Sequence, residues 1–212
     1  MTEAEWLACT DPIRMLDHLG AHCSRRKLRL FVAAGARSLA SVLGNDQELL
    51  ADLHEQVADG QATRDDLEWV LLGGMRGLWL HRAPDGNLPS EWQSARMVVR
   101  ERYKLSPLQK NEVVTDESRA AEYSEMCRQL RCIFGIPFHS VYLDPISLTR
   151  NDLTIASMAE SIYAERSFDR LPFLADALED AGCTDAELLS HLRGPGPHVR
   201  GCWAVDLVLG KS

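Results

Sequence analysis

The chain has 212 residues, 45% of them apolar and 25% charged, with a net charge of −8. That length fits one large domain or two small ones sharing an interface, with enough apolar residues for a real core. The acidic balance disfavours nonspecific attraction to nucleic acid or anionic lipid, and no apolar run approaches the roughly 20 residues a membrane helix needs. The start, MTEAEW, places Glu3 and Glu5 where a secretion signal carries positive charge. We therefore expect a cytoplasmic protein whose six cysteines, Cys9, Cys23, Cys127, Cys132, Cys183 and Cys202, are reduced thiols.

Helix punctuation recurs along the chain, and strand signals are sparse. Thr2 and Glu5 form a capping-box pair before Trp6-Leu7-Ala8. Asp11 precedes Pro12 at a helix start, and Gly20 supplies a stop. Ser24 caps RRKLRLFVAAGARSLASVL, where Leu28, Phe31, Val32, Leu39, Val42 and Leu43 recur at helical spacing before Gly44. Asp46 caps the next helix, with Leu49, Leu50, Leu53 and Val57 on one face and Gly60 behind.

Thr63 opens RDDLEWVLLGGMRGLWLHR, an amphipathic pattern interrupted by Gly73, Gly74 and Gly77. Each interior glycine costs up to ~1 kcal/mol relative to alanine. APDGNLPS reads as a loop, and Ser90 caps EWQSARMVVRERYKL. SPLQKNEVVTDES reads as a linker, after which Asp116 starts a helix through Cys127, Leu130 and Ile133 to Gly135. IPFHSVYLDP is the one extended connector. From Asn151 four short helices follow: DLTIASMAESIYAER, RLPFLADALEDAG, DAELLSHLR and VRGCWAVDLVL.

The expected fold is all-α, an irregular array of about nine or ten short helices with one extended connector. Its expected division is an N-terminal helical module over 1–105, a linker helix and connector over 106–140, and a C-terminal helical module over 141–212 packed on the rest.

The stretch GCTDAELLSHLRGPGPHVRGCW concentrates two cysteines and two histidines near the C-terminus. Thr184 and Glu187 form a second capping box, so Cys183 and His191 stand at opposite ends of a helix about 12 Å long. They cannot share one metal, and a Cys2His2 set within this stretch fails. A narrower group survives. If the last segment is helical, His198, Cys202 and Asp206 fall at i, i+4 and i+8, and His191 approaches His198 across the RGPGP turn. Thiol, imidazole and carboxylate are the groups that a three-ligand metal site or a Cys–His nucleophile needs. The same residues also read as ordinary core, with Asp206 paired to Arg193 or Arg200. The segment alternates as a strand would, but lacks a partner.

Arg25, Arg26, Lys27 and Arg29, with Arg37 extending the stripe, form the best candidate for nucleic-acid binding through phosphate contacts, and the overall charge favours a solvated or internally paired face. Gly73-Gly74-Met75-Arg76-Gly77 lacks the preceding strand and the spacing of a phosphate loop. His18 and His22, beside Cys23, lack the glutamate of a zinc-protease helix.

MTEAEWLACTDPIRMLDHL with RKLRLF, the connector IFGIPFHSVYLDP, and the block from Ser161 to Lys211 resemble an uncharacterised protein family encoded in multiple copies in large bacterial genomes. The resemblance covers a little over half the chain and implies an N-terminal module, a variable centre and a C-terminal module. It brings no assigned activity. Members of that family often carry cysteines directly after KLRLF, where this chain has Val32-Ala33-Ala34-Gly35-Ala36.

The reading favours a non-catalytic interaction or regulatory module with another protein as partner, no cofactor and no membrane, acting through aromatic positions such as Trp92 or Tyr103. The alternative is a metal-binding or thiol-dependent enzyme centred on His191, His198, Cys202 and Asp206. Nucleic-acid binding through residues 25–29 ranks below both.

Overall fold

The computed structural model describes residues 1–20, 23–67, 90–109, 115–139, 141, 143 and 154–211. The described residues form ten α-helices and a helical stretch at 64–67, with one 3-10 turn and no strand. The helices are α1 (Glu3–Ala8), α2 (Pro12–Leu19), α3 (Arg25–Leu43), α4 (Asp46–Ala58), α5 (Glu91–Gln109), α6 (Asp116–Phe134), α7 (Thr154–Glu165), α8 (Leu171–Asp180), α9 (Ala186–Arg193) and α10 (Trp203–Val208). The 3-10 turn Phe168–Arg170 leads into α8. No described helix is long and apolar enough to cross a membrane.

The caps explain most boundaries. Thr2 and Glu5 exchange hydrogen bonds at the start of α1, the Asp11 carboxylate accepts from the Ile13 and Arg14 amides, and Ser24 accepts from Lys27. Gly20, Gly44 and Gly135 end α2, α3 and α6 with their amides returned to the preceding turn. Three expectations shift. α4 begins one residue after Asn45, whose side chain makes no cap, with Asp46 already helical. The cap of α9 is Asp185, whose carboxylate accepts from Leu188 at 2.8 Å, one residue beyond Thr184. α5 continues to Gln109, through the first residues read as linker. Gly73, Gly74 and Gly77 lie outside the described residues, as do most of APDGNLPS, His22 and the connector past His139 apart from residues 141 and 143.

Two apolar cores result. One gathers Trp6, Met15, Leu16, Phe31, Leu39, Leu50, Val98, Val99, Met126, Leu130 and Ile133 from α1 through α6. The other gathers Ile155, Ile162, Leu171, Leu174, Leu178, Leu188, Leu192 and Val205 from the C-terminal helices. The last turn of α6 serves both. Ile133 points into the first core and Cys132 into the second.

The final helix is shorter than VRGCWAVDLVL suggested. Residues 194–202 form neither helix nor strand, and α10 starts only at Trp203. Gly201 explains the interruption. Its φ of +90° lies in the left-handed region, and a Cβ there would stand 2.6 Å from Leu30 Cδ1. The backbone thus leans directly on α3 and turns before α10 begins.

Candidate metal centre

The irregular run 194–202 returns the chain over the end of α6, and four side chains converge there: Cys132, His191, His198 and Cys202. One donor atom from each lies within 4.8 Å of all the others. His191 Nε2 is 3.2 Å from Cys202 Sγ, and His198 Nδ1 is 3.9 Å from Cys132 Sγ. The two imidazoles meet edge to face, with ring centroids 5.1 Å apart. Both thiols are buried, while both imidazoles keep partial contact with solvent.

Each residue is positioned for a local reason. Cys132 occupies the last turn of α6, on the face turned towards the C-terminal core. His191 closes α9, one residue before the buried Leu192. Cys202 is the residue at the N-terminal boundary of α10, fixed from below by the Gly201 contact with Leu30. His198 is oriented by the turn itself, because its Nε2 is 3.1 Å from the Gly194 carbonyl oxygen. A carbonyl only accepts, so Nε2 carries the proton and Nδ1 turns its lone pair towards Cys132. This is the outer-sphere contact that prepares a histidine as a ligand.

The electrostatics of the thiols diverge. Burial raises the Cys132 thiol well above its ordinary value, and the adjacent Cys202 adds to the rise. Burial acts the same way on Cys202, but hydrogen bonds from Cys132, His191 and His198 outweigh it and hold that thiol well below the usual range. The His198 imidazole is disfavoured as a cation by burial, yet its contact with Cys202 carries it above its ordinary value.

A tetrahedral zinc ion with bonds of about 2.3 Å to sulfur and 2.0–2.1 Å to nitrogen spaces its ligand atoms roughly 3.3–3.8 Å apart. The observed 3.2 and 3.9 Å straddle that range. The longest separation, 4.8 Å at most, closes by about an ångström of side-chain rotation. Two thiolates and two imidazoles are also the donor set that suits zinc. The residues fit the ion in number, chemistry and spacing.

The structure brings together three of the four residues singled out in the sequence and separates the fourth. Asp206 faces away, into an ion pair with Arg26 (2.6 Å), and is 1% exposed. Its expected partners are engaged elsewhere. Arg193 binds Asp176 and Glu179, and Arg200 binds Glu55 and Asp59. The expected i, i+4, i+8 stripe fails because helical geometry begins only after Cys202. Cys183 is a core residue outside the cluster, as the helix length requires. The member missing from the sequence reading is Cys132, 66 residues before His198, with no local motif to announce it.

The other candidates resolve into internal contacts. Arg26 binds Asp59, Asp206 and the Tyr163 hydroxyl, Arg29 pairs with Glu91, and Lys27 is half-buried over the Phe134 ring. Arg25 is the exposed member of that cluster. Trp92 and Tyr103, expected on the surface, are half-buried. The Trp92 indole donates to the Leu16 carbonyl at 3.2 Å, and Tyr103 packs on Tyr123.

No family model, curated protein or solved structure matches this chain. The site therefore stands on its own geometry.

Proposed function

We propose that this protein binds one zinc ion through Cys132, His191, His198 and Cys202, and that the ion serves a non-catalytic, structural purpose. The observation that carries the reading is the convergence of two thiols and two imidazoles from α6, α9 and the 194–202 run, with donor atoms within 4.8 Å of one another. Four protein ligands fill a tetrahedron, and a filled tetrahedron leaves no position for substrate or water. The ion would fix the C-terminal arm to the end of α6, where the two cores meet. A thiol-dependent enzyme is the poorer reading, because Cys202 is 0% exposed and a nucleophile needs access to its substrate.

The test is metal analysis of tag-free protein together with cobalt substitution. About one zinc per chain, and a cobalt form with the visible bands of tetrahedral thiolate ligation, are expected. Zinc that stays substoichiometric after reconstitution, with no thiolate bands for cobalt, would overturn the reading.

A further inference from the structure

A cavity of about 340 Å³ opens beside the cluster, between α3, α4, the 3-10 turn and the run following His198. One end is apolar, formed by Leu30, Ala34, Phe168 and Val199. The other end is charged. The charged side chains lining it are Arg37, Arg166 and Arg200 against the single carboxylate Glu55. Asp52 and Asp59, outside the lining, pair with the same guanidinium groups, so the recess is marked by three converging guanidinium groups rather than by an excess of charge.

The guanidinium groups have donors to spare. Arg37 reaches Asp52 (2.7 Å) and Glu55 (3.1 Å) through one terminal nitrogen, Nη2. Arg166 likewise reaches both carboxylates through its Nη2 alone. The Nε atoms of Arg166 and Arg200 are buried without a hydrogen-bond partner among the described residues. A guanidinium offers five N–H donors in a planar fork, so Glu55, Asp52 and, for Arg200, Asp59 leave part of this capacity unused.

Arg166 is also the one non-glycine described residue with a left-handed backbone, φ 54°. Such conformations cost on the order of 1–3 kcal/mol and concentrate at ligand sites. The strained residue projects its side chain into the recess.

We propose that this cavity is a binding site for a small organic anion, with a carboxylate or phosphate head group among Arg37, Arg166 and Arg200 and an apolar body against Phe168, Leu30 and Val199. The volume suits a ligand of about one aromatic ring with its head group. A planar oxyanion accepts a bidentate pair of N–H bonds from a guanidinium, supplying the acceptors that the spare donors lack. The site does not depend on the metal centre, although His198 borders both.

The experiment is calorimetric titration of the full chain at low ionic strength with phenyl phosphate, phenylacetate, inorganic phosphate and benzyl alcohol. Saturable binding of at least one aryl anion is expected, with inorganic phosphate competing more weakly and benzyl alcohol silent. Arg166→Gly removes the fork while accepting the left-handed backbone, and should weaken binding at least about tenfold with helicity unchanged. Arg37→Ala provides the same readout should Arg166→Gly unfold the chain. Phe168→Ala should weaken the aryl anions and spare inorganic phosphate. Absence of saturable binding by both aryl anions, or affinity unchanged in Arg166→Gly and Arg37→Ala, would overturn the site.

Discussion

Two polar clusters lie where the cores meet, and they solve burial in opposite ways. The first is ionic: Arg26, Asp59, Tyr163, Asp206 and Arg200 interlock so that each carboxylate meets guanidinium or hydroxyl donors. Asp59 alone accepts from Arg26, Arg200 and Tyr163. The second is the His/Cys cluster, in which two thiols and two imidazoles contact one another and the Gly194 carbonyl accepts from His198. In the ionic cluster opposite charges meet within the protein, although Arg200 Nε has no hydrogen-bond partner among the described residues. The His/Cys cluster holds the donor types that a cation takes, and the proposed zinc would complete it.

The sharpest way to break the comparison is to remove one ligand. Cys132→Ser is expected to abolish stoichiometric zinc and to cost on the order of 5 kcal/mol in the zinc-loaded protein, read from urea unfolding with metal analysis in parallel. Asp206→Ala should cost less, roughly 3 kcal/mol, because Arg26 loses a buried partner but keeps Asp59. It should leave zinc content unchanged, so that the two clusters separate as metal-linked and metal-independent.

A third buried group sharpens the contrast through pH. His54 is 3% exposed, and its ring nitrogens have no hydrogen-bond partner among the described residues. Burial, with Arg29 nearby, lowers its pKa from 6.5 to about 3. The unfolded chain therefore binds a proton below 6.5 that the folded chain refuses. The His54 contribution is fully present above that value and falls by about 1.4 kcal/mol per pH unit as pH drops towards 3. His54→Leu should flatten the stability change between pH ~7 and ~5 relative to wild type, and equal slopes would contradict this. The smallest effect is expected at Cys183, which is buried yet outside the cluster. Cys183→Ala should cost about 1 kcal/mol and leave one zinc per chain.

These features differ in how far the sequence exposed them. Helix starts at Thr2, Asp11, Ser24 and Ser90 were legible because a cap is a contact between residues three apart. His191 and His198 could be brought together on paper because a short Gly/Pro turn joins them. Cys132 could not, since only the packing of α6 beneath the C-terminal run delivers it. Asp206 was misplaced for a related reason. A helical periodicity was extended through Gly201, whose left-handed backbone and contact with Leu30 interrupt the helix. Local rules carry no information about partners 66 residues away.

Trp203 has a consequence of another kind. Its indole packs on Gly135, where an added Cβ would stand 3.1 Å from the ring, and its centroid is 5.2 Å from that of His191. An excited indole responds to the charge and electronic structure of its nearest neighbours. The chain therefore carries an intrinsic fluorophore beside one of the four cluster residues, whose emission colour and lifetime would report a metal bound at His191.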